Sequence, residues 1–405
     1  MVRLEKALVG FTVFNAIWSF YTGFNLAYNG IMGTIFWGRL GILLIVAYLL
    51  VVLQCSNAKI KCFTHRYDTQ AVLLTLCFLG IYVITWLSSG FHENHFLFDI
   101  VHVVVFIMMR DDLKIKCFEW FIKVLAMFLL ISVVEYLIYV ITGFGIVTAS
   151  IVERTGDTGA QVFRQLIFNL ILESRMYVFR FQSLCEEPGV VGTTCGLLLF
   201  LLRDNKQFKK EYFIFVIAGL LSFSLAFYAM FVIHLIASGT FKMRNMVIYI
   251  LGVLIIYMFF QSFIDSFLFE RIIGREFVDI DNRSGADFAM QYEHAYERGD
   301  LWLSSYNKGY DINGAGLKIF IWRYGIISLL LLIFSYSAVY IHQVRNLKSV
   351  LIKAAIFFVV FWASFYQRHA ITNMEYMLIF FSAPLIFSKY SALNSNGLSA
   401  GRYYI

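Results

Sequence analysis

The 405-residue sequence predicts an all-α fold, a polytopic integral membrane protein of about twelve transmembrane helices. Three observations carry this. The chain is 60% hydrophobic and only 15% charged, where a soluble chain carries about a quarter charged residues. Apolar runs of about 20 residues, the length that crosses a hydrocarbon core, recur along it. Basic residues fall on alternate loops, the bias that marks the cytoplasmic side.

Taken in order, the spans are expected as follows. The first runs from Ala7 to Tyr28. Arg3 and Lys6 precede it with no Ala-x-Ala-type cleavage chemistry, so it is expected to be retained. A short turn at Asn29-Gly30 leads to a second span, Ile31 to Leu53, and then to a basic loop with Lys59, Lys61 and Arg66. The third covers Ala71 to Ser89 and the fourth Phe96 to Met109. Arg110, Lys114 and Lys116 form the next basic loop, and the fifth span runs from Glu119 to Thr142. Residues 143–187 form a first large external loop. Within it, Val162, Leu166, Phe168, Leu170 and Ile171 suggest a surface helix over Gln161 to Arg175. The sixth span, Pro188 to Leu202, carries Gly192 and Gly196 at the spacing that lets helices approach closely.

Tyr212 to Ser238 is long enough for one span, yet Lys206, Lys209 and Lys210 precede it and Lys242 and Arg244 follow. Both flanks being basic, it is expected to go out and back as a hairpin, with Ser222-Phe-Ser224 at the apex. Met246 to Ile264, Lys318 to Tyr340, Ala354 to Tyr366 and Glu375 to Ser388 complete the spans around a second external loop, 265–317. The whole chain reads as a single transmembrane domain with both termini cytoplasmic.

The net charge of +7 is accounted for by cytoplasmic loops, so no nucleic-acid partner is expected. The six cysteines have no paired spacing, so neither a disulfide framework nor a zinc site is expected. No P-loop, His-Glu-x-x-His or nucleophile elbow occurs. Asp279-Ile-Asp281 matches the Asp-x-Asp metal pattern but falls on an external loop, and is read as solvated. No metal or cofactor is expected.

Three groups of residues are candidates for chemistry. The first is Arg180-Phe-Gln-Ser-Leu-Cys-Glu-Glu-Pro-Gly-Val-Val-Gly192, which holds one of two prolines in the chain. Proline suits a first helical turn and holds the preceding residue extended. Arg180 and Ser183 then sit on a loop, and Glu186 and Glu187 at a helix mouth, where acids also simply favour the dipole. The second group is Arg39, Asp99, His102 and Glu135, all in the outer halves of their spans. Charges there line a cavity or pair internally. The third is the 265–317 loop, with Arg271, Arg275, Arg283 and Arg298 among acids and aromatics including Tyr306, beside Asn307. Arginine forks suit phosphate, and aromatic faces suit sugars.

Arg180-x-x-Ser183-x-x-Glu-Glu187-Pro188-Gly189 resembles the Arg…Ser…Glu-Pro segment of bacterial O-antigen and capsule polymerases of the Wzy type, within the O-antigen ligase-like superfamily. Tyr324-Gly325-Ile326-Ile327 and Phe365-Tyr366-Gln367-Arg368 are similar to two further segments of that family. His369 stands where proline often follows the arginine. The resemblance implies a GT-C-like inner-membrane glycosyltransferase working on undecaprenyl-pyrophosphate-linked oligosaccharides at the periplasmic face. A chain-length regulator protein is an implied partner. On this reading Arg180 and Arg283, then Arg368 and Arg298, stabilise the leaving pyrophosphate. Glu187, then His369, is the candidate base. An O-antigen ligase and a lipid-linked oligosaccharide flippase are the alternatives.

Overall fold

The structure is a computed structural model describing residues 2–21, 49–54, 69–89, 95–143, 150–156, 159–172, 180–185, 187–203, 205–237, 286–303, 316–345, 347, 350–367 and 373–400. Among these the chain is predominantly helical. The helices are α1 (Val2–Phe20), α2 (Thr69–Ser89), α3 (His95–Met108), α4 (Asp111–Thr142), α5 (Pro188–Leu202), α6 (Lys209–Leu221), α7 (Leu225–Ala237), α8 (Ala286–Glu297), α9 (Gly316–Val344), α10 (Leu351–Gln367) and α11 (Met374–Ala400). Residues 69–88 of α2, and all of α4 and α9, are long and apolar enough to cross a membrane. Most of the expected second span, the 246–264 span and much of the second loop lie outside the described residues.

Side-chain contacts fix how the helices run. Arg110 reaches Glu5 at 3.6 Å, so α1 and α4 start together. Lys389 of α11 donates to Glu119 at 2.6 Å, so α11 runs the other way. Lys123 of α4 lies over the Phe208 ring, just before α6 begins, 5.7 Å from its centroid. At the far end Tyr21 packs on Phe128, and Tyr136 on Phe181. That far end, where α5 and α11 begin, is called the Pro188 end.

Helix α4 begins at Asp111, not at the expected Glu119. Asp111 and Asp112 complement the dipole of the first turn. Arg110 clamps Asp112 through Nε and Nη2 at 2.9 and 2.8 Å, and the buried Lys114 reaches Asp111 at 3.3 Å. The lysines expected in a loop thus extend the helix instead. Gly143, with φ 72°, closes it by donating to the Tyr139 carbonyl.

A second correction concerns the first loop. Part of the expected Gln161 to Arg175 surface helix is β-structure: β1 (Ser150–Gly156), β2 (Gly159–Gln165) and β3 (Leu170–Leu172) make an antiparallel sheet in the order β1-β2-β3. Gly156 pairs with Gly159 across the hairpin, and Gln165 with Leu170 across the second turn.

The hairpin expected at Ser222-Phe-Ser224 is present. Helices α6 and α7 have 13 residues each, about 20 Å, so neither spans a membrane alone. Their apex turns at Phe223, with φ 48°, and Ser222 and Ser224 are buried. Gly192 makes this possible: a Cβ there would sit 2.8 Å from Ser224 Oγ. At Gly196 it would meet the Met230 methyl at 2.8 Å. The close helix approach read from the glycine spacing is therefore realised between α5 and α7. His234 on α7 bonds Tyr212 Oη at 3.0 Å and abuts Phe200.

An aromatic seam joins α9, α10 and α11, with the Phe380 ring 4.2 Å from Phe361 and 4.8 Å from Tyr340. Helix α9 is broken at Gly325, whose φ of 85° and ψ of 163° no side-chain-bearing residue adopts comfortably. The segment after α8, a short 3₁₀ turn (Asp300–Trp302) and Leu303, passes over this break. Phe288, Ala295 and Leu301 pack there on Trp322, seating part of the second loop on α9.

Candidate functional site at the Pro188 end

The loop 180–187 is built into the bundle by three neighbours. From the hairpin, the carbonyls of Ser222 and Phe223 accept from Arg180 Nε at 3.3 Å and Nη2 at 3.1 Å. The Phe181 N–H donates to the Leu221 carbonyl at 3.1 Å. A cation thus meets the carbonyl end of α6, where the dipole is negative. From α1, the Phe20 carbonyl receives Cys185 Sγ at 3.4 Å.

The third neighbour is a buried polar knot on α4. The two oxygens of Glu135 accept from the Ile167 N–H at 2.9 Å, the Phe168 N–H at 2.8 Å and Asn169 Nδ2 at 2.8 Å. These donors line the β2–β3 turn, which the carboxylate holds as a capping group would. Asn169 Nδ2 also donates to the Ser132 carbonyl at 2.8 Å. Ser132 Oγ bonds the Phe168 carbonyl and lies 2.7 Å from Ser183 Oγ. The Ser183 carbonyl accepts the Leu170 N–H at 2.8 Å. These bonds hold Ser183 at φ 52°, a region a non-glycine residue rarely enters. Ser183 therefore fixes the loop to the sheet, and Glu135 anchors a turn instead of lining an open cavity.

Glu187 takes the extended conformation expected before proline, with φ −146° and ψ 150°, and Pro188 opens α5. Its side chain is exposed and makes no capping bond. Its carbonyl accepts the Val190 N–H at 3.1 Å. His102 is buried on α3 and its Nε2 lies 3.0 Å from Asn15 Nδ2 of α1. Asp99 lies on α3 one turn before it. Arg298 is exposed just past α8 and pairs with Asp300 at 3.1 Å. Arg39, Glu186, Arg283, Tyr306, Asn307, Arg368 and His369 lie outside the described residues.

The structure thus brings Arg180, Ser183 and Glu135 into one construction and leaves His102 and Arg298 elsewhere. Gly325, noted from sequence only as part of Tyr324-Gly325-Ile326-Ile327, allows the second loop to dock, a role whose local signal was a glycine inside an apolar run. One residue at this end was not singled out from sequence. Glu375 lies in the first turn of α11 and is 1% exposed. Its Oε1 receives Asn373 Nδ2 at 3.5 Å, and Oε2 has no partner among the described residues. An acid at a span boundary reads from sequence as a solvated helix start, which hid it. The four described cysteines, Cys77, Cys117, Cys185 and Cys195, are free and buried. Comparison with protein-family models, curated proteins and solved structures finds no match for this chain.

Proposed function

We propose that this protein is a membrane glycosyltransferase that joins undecaprenyl-pyrophosphate-linked oligosaccharide repeat units on the outer face of a bacterial inner membrane. The observation that carries the reading is the Arg180–Glu187 segment, folded into the bundle by α4, α1 and the hairpin apex. A mere helix lead-in needs no such construction. The basic groups at the opposite end, Arg110, Lys114 and Lys389, favour a cytoplasmic face there, which turns the Pro188 end outward. About twelve spans follow from the same charge alternation, and a GT-C-like arrangement is what the resemblance implies.

In this reaction the bond between the anomeric carbon and the pyrophosphate oxygen breaks, and the acceptor hydroxyl of another lipid-linked unit takes its place. Negative charge grows on the leaving oxygen, and preorganised guanidinium groups stabilise it. Arg180 and Arg283 are assigned this task first, with Arg368 and Arg298 next. Each charge-assisted bond contributes about 1.5–3 kcal/mol, about tenfold to a hundredfold in rate.

The test is a deletion strain examined for surface glycan. Single-repeat caps on the lipid A core support the polymerase. Long glycan retained on its lipid carrier, with none on the core, supports a ligase instead, and lipid-linked units trapped inside support a flippase. Complementation with Arg180→Lys at wild-type membrane abundance is expected to shorten the polymer. Full-length polymer from both Arg180→Lys and Arg180→Ala removes Arg180 from the chemistry.

A further inference from the structure

We propose that Trp302, with Leu303 beside it, is a membrane anchor that seats the end of the second external loop in the lipid–water boundary of the bilayer. The inference rests on α2 and α9 crossing that bilayer and on no step of the glycosyl transfer.

Trp302 is 56% exposed and Leu303 47%, although Leu301 before them is buried. Such a pair gains from a medium that is apolar on one side and wet on the other. Its height in the molecule supplies that medium. The backbone break at Gly325 divides α9 in two. Residues 326–344 measure about 28 Å, close to the roughly 30 Å of a hydrocarbon core. Leu330 and Phe334 are exposed along them, as on a lipid-facing side. Gly325 therefore stands at one boundary of the core and Arg345 at the other. The Leu303 backbone passes against Gly325, so Trp302 shares its height.

Helix α2 gives the same height independently. Gln343 of α9 donates to Gln70 of α2 at 3.0 Å, which levels the two helices. Further along, Gly80 faces Leu331, so the register holds. From that bond Trp86 lies about 24 Å along α2, and Gly325 about 27 Å along α9. Trp86 is itself 47% exposed. The third exposed tryptophan among the described residues is Trp120. It stands beside Glu119, which Lys389 pairs at the opposite boundary. All three thus fall at the boundaries and none between them, the distribution of an interfacial belt.

Trp302 differs from the other two in sitting on a loop, and α8 shows how it reaches the boundary without carrying bare charge into lipid. Phe288 and Ala295 of α8 pack with Trp322, while Glu293 and Glu297 are exposed on its other side. The helix lies above the boundary with these acids in water. Arg298 and Asp300, paired at 3.1 Å, neutralise each other on the way down, and Leu301 and Trp302 complete the descent.

The experiment uses full-length protein in a cysteine-free background, reconstituted in phosphatidylethanolamine–phosphatidylglycerol vesicles. A nitroxide is attached in Trp302→Cys, Leu330→Cys or Glu293→Cys. Collision with oxygen, which partitions into lipid, is compared with collision with a water-soluble nickel chelate. The oxygen-to-nickel ratio is expected to be highest at 330, intermediate at 302 and severalfold lower at 293. A ratio at 302 equal to that at 293, with a high ratio at 330, overturns the anchor and leaves the crossing helices standing. A ratio at 330 as low as at 293 overturns the crossing of α9, and the anchor with it. The native side chain is tested by the emission lost in Trp302→Phe. Lipids brominated on their upper acyl carbons are expected to quench that increment, and an increment they leave untouched overturns the anchor.

Discussion

Gly325→Ala is expected to release the end of the second loop from α9. A Cβ at this position lies 2.8 Å from Leu303 Cα and closer still to its carbonyl group. Carbon contacts settle at about 3.5–4.0 Å, so the 300–303 segment must retreat by on the order of 1 Å or more. The backbone at φ 85° and ψ 163° adds a second penalty, because only glycine occupies that region without strain. Strain and overpacking contribute about 1–3 kcal/mol each, roughly 2–6 kcal/mol together. What opposes release is the small cluster of Phe288, Ala295 and Leu301 on Trp322. A penalty of about 2 kcal/mol already multiplies the undocked population about thirtyfold. Cleavage after Arg298 tracks that population when docking is fast. Purified Gly325→Ala protein in detergent should therefore be cut after Arg298 at least tenfold faster than wild type. Adding Leu303→Ala should restore nothing, since the clash is with backbone. Equal cleavage rates for wild type and Gly325→Ala would refute the packing argument.

The remaining expectations concern the Pro188 end. Glu135→Gln places an amide N–H₂ against backbone donors and should lower unfolding free energy by about 2–4 kcal/mol, read from denaturant titration of the purified protein. If it unfolds like wild type, the β2–β3 turn is held by something other than this carboxylate. Arg180→Ala should destabilise by about 1.5–3 kcal/mol through loss of the apex bonds, while Arg180→Lys recovers only part of this. Equal stability of the lysine variant and wild type would show that a point charge suffices at the apex. Gly192→Val should separate α5 from the hairpin, seen as loss of a crosslink between cysteines introduced at Gly196 and Met230 in a cysteine-free background. Retention of that crosslink would contradict the close approach.

Charge bookkeeping located the hairpin well. Lysines before Tyr212 and cations after Ser238 force an even number of crossings, and that argument depends only on local composition. Pro188 likewise marks the start of α5, because a missing N–H is harmless only in a first turn. The β-sheet was harder to read. Val162, Leu166, Leu170 and Ile171 suit one helical face, but the Gly156–Gly159 pair is a turn signal that favours strands on either side. Anchoring by Glu135 also decides in favour of strands, and that acid lies 32 residues from its first donor. No local pattern conveys a bond across such a distance. The same holds for Gly325, where a backbone segment passing overhead sets the requirement, and for Glu375, whose burial depends on α1, α4 and α5 closing around it.

The clip on the hairpin has a consequence for biosynthesis. Arg180 precedes Ser222 by 42 residues, so the receptor for the apex is made before the apex. Two half-length helices cannot each settle in a bilayer as independent crossings. They must be received by protein already in place, with Gly192 and Gly196 as the berth and Arg180 as the latch. Insertion of this segment is thus a folding event guided by earlier chain and not a hydropathy decision alone. A ribosome paused with α5 emerged and α6 and α7 still inside its exit tunnel would hold a chain whose docking surface is complete and still waiting for its occupant.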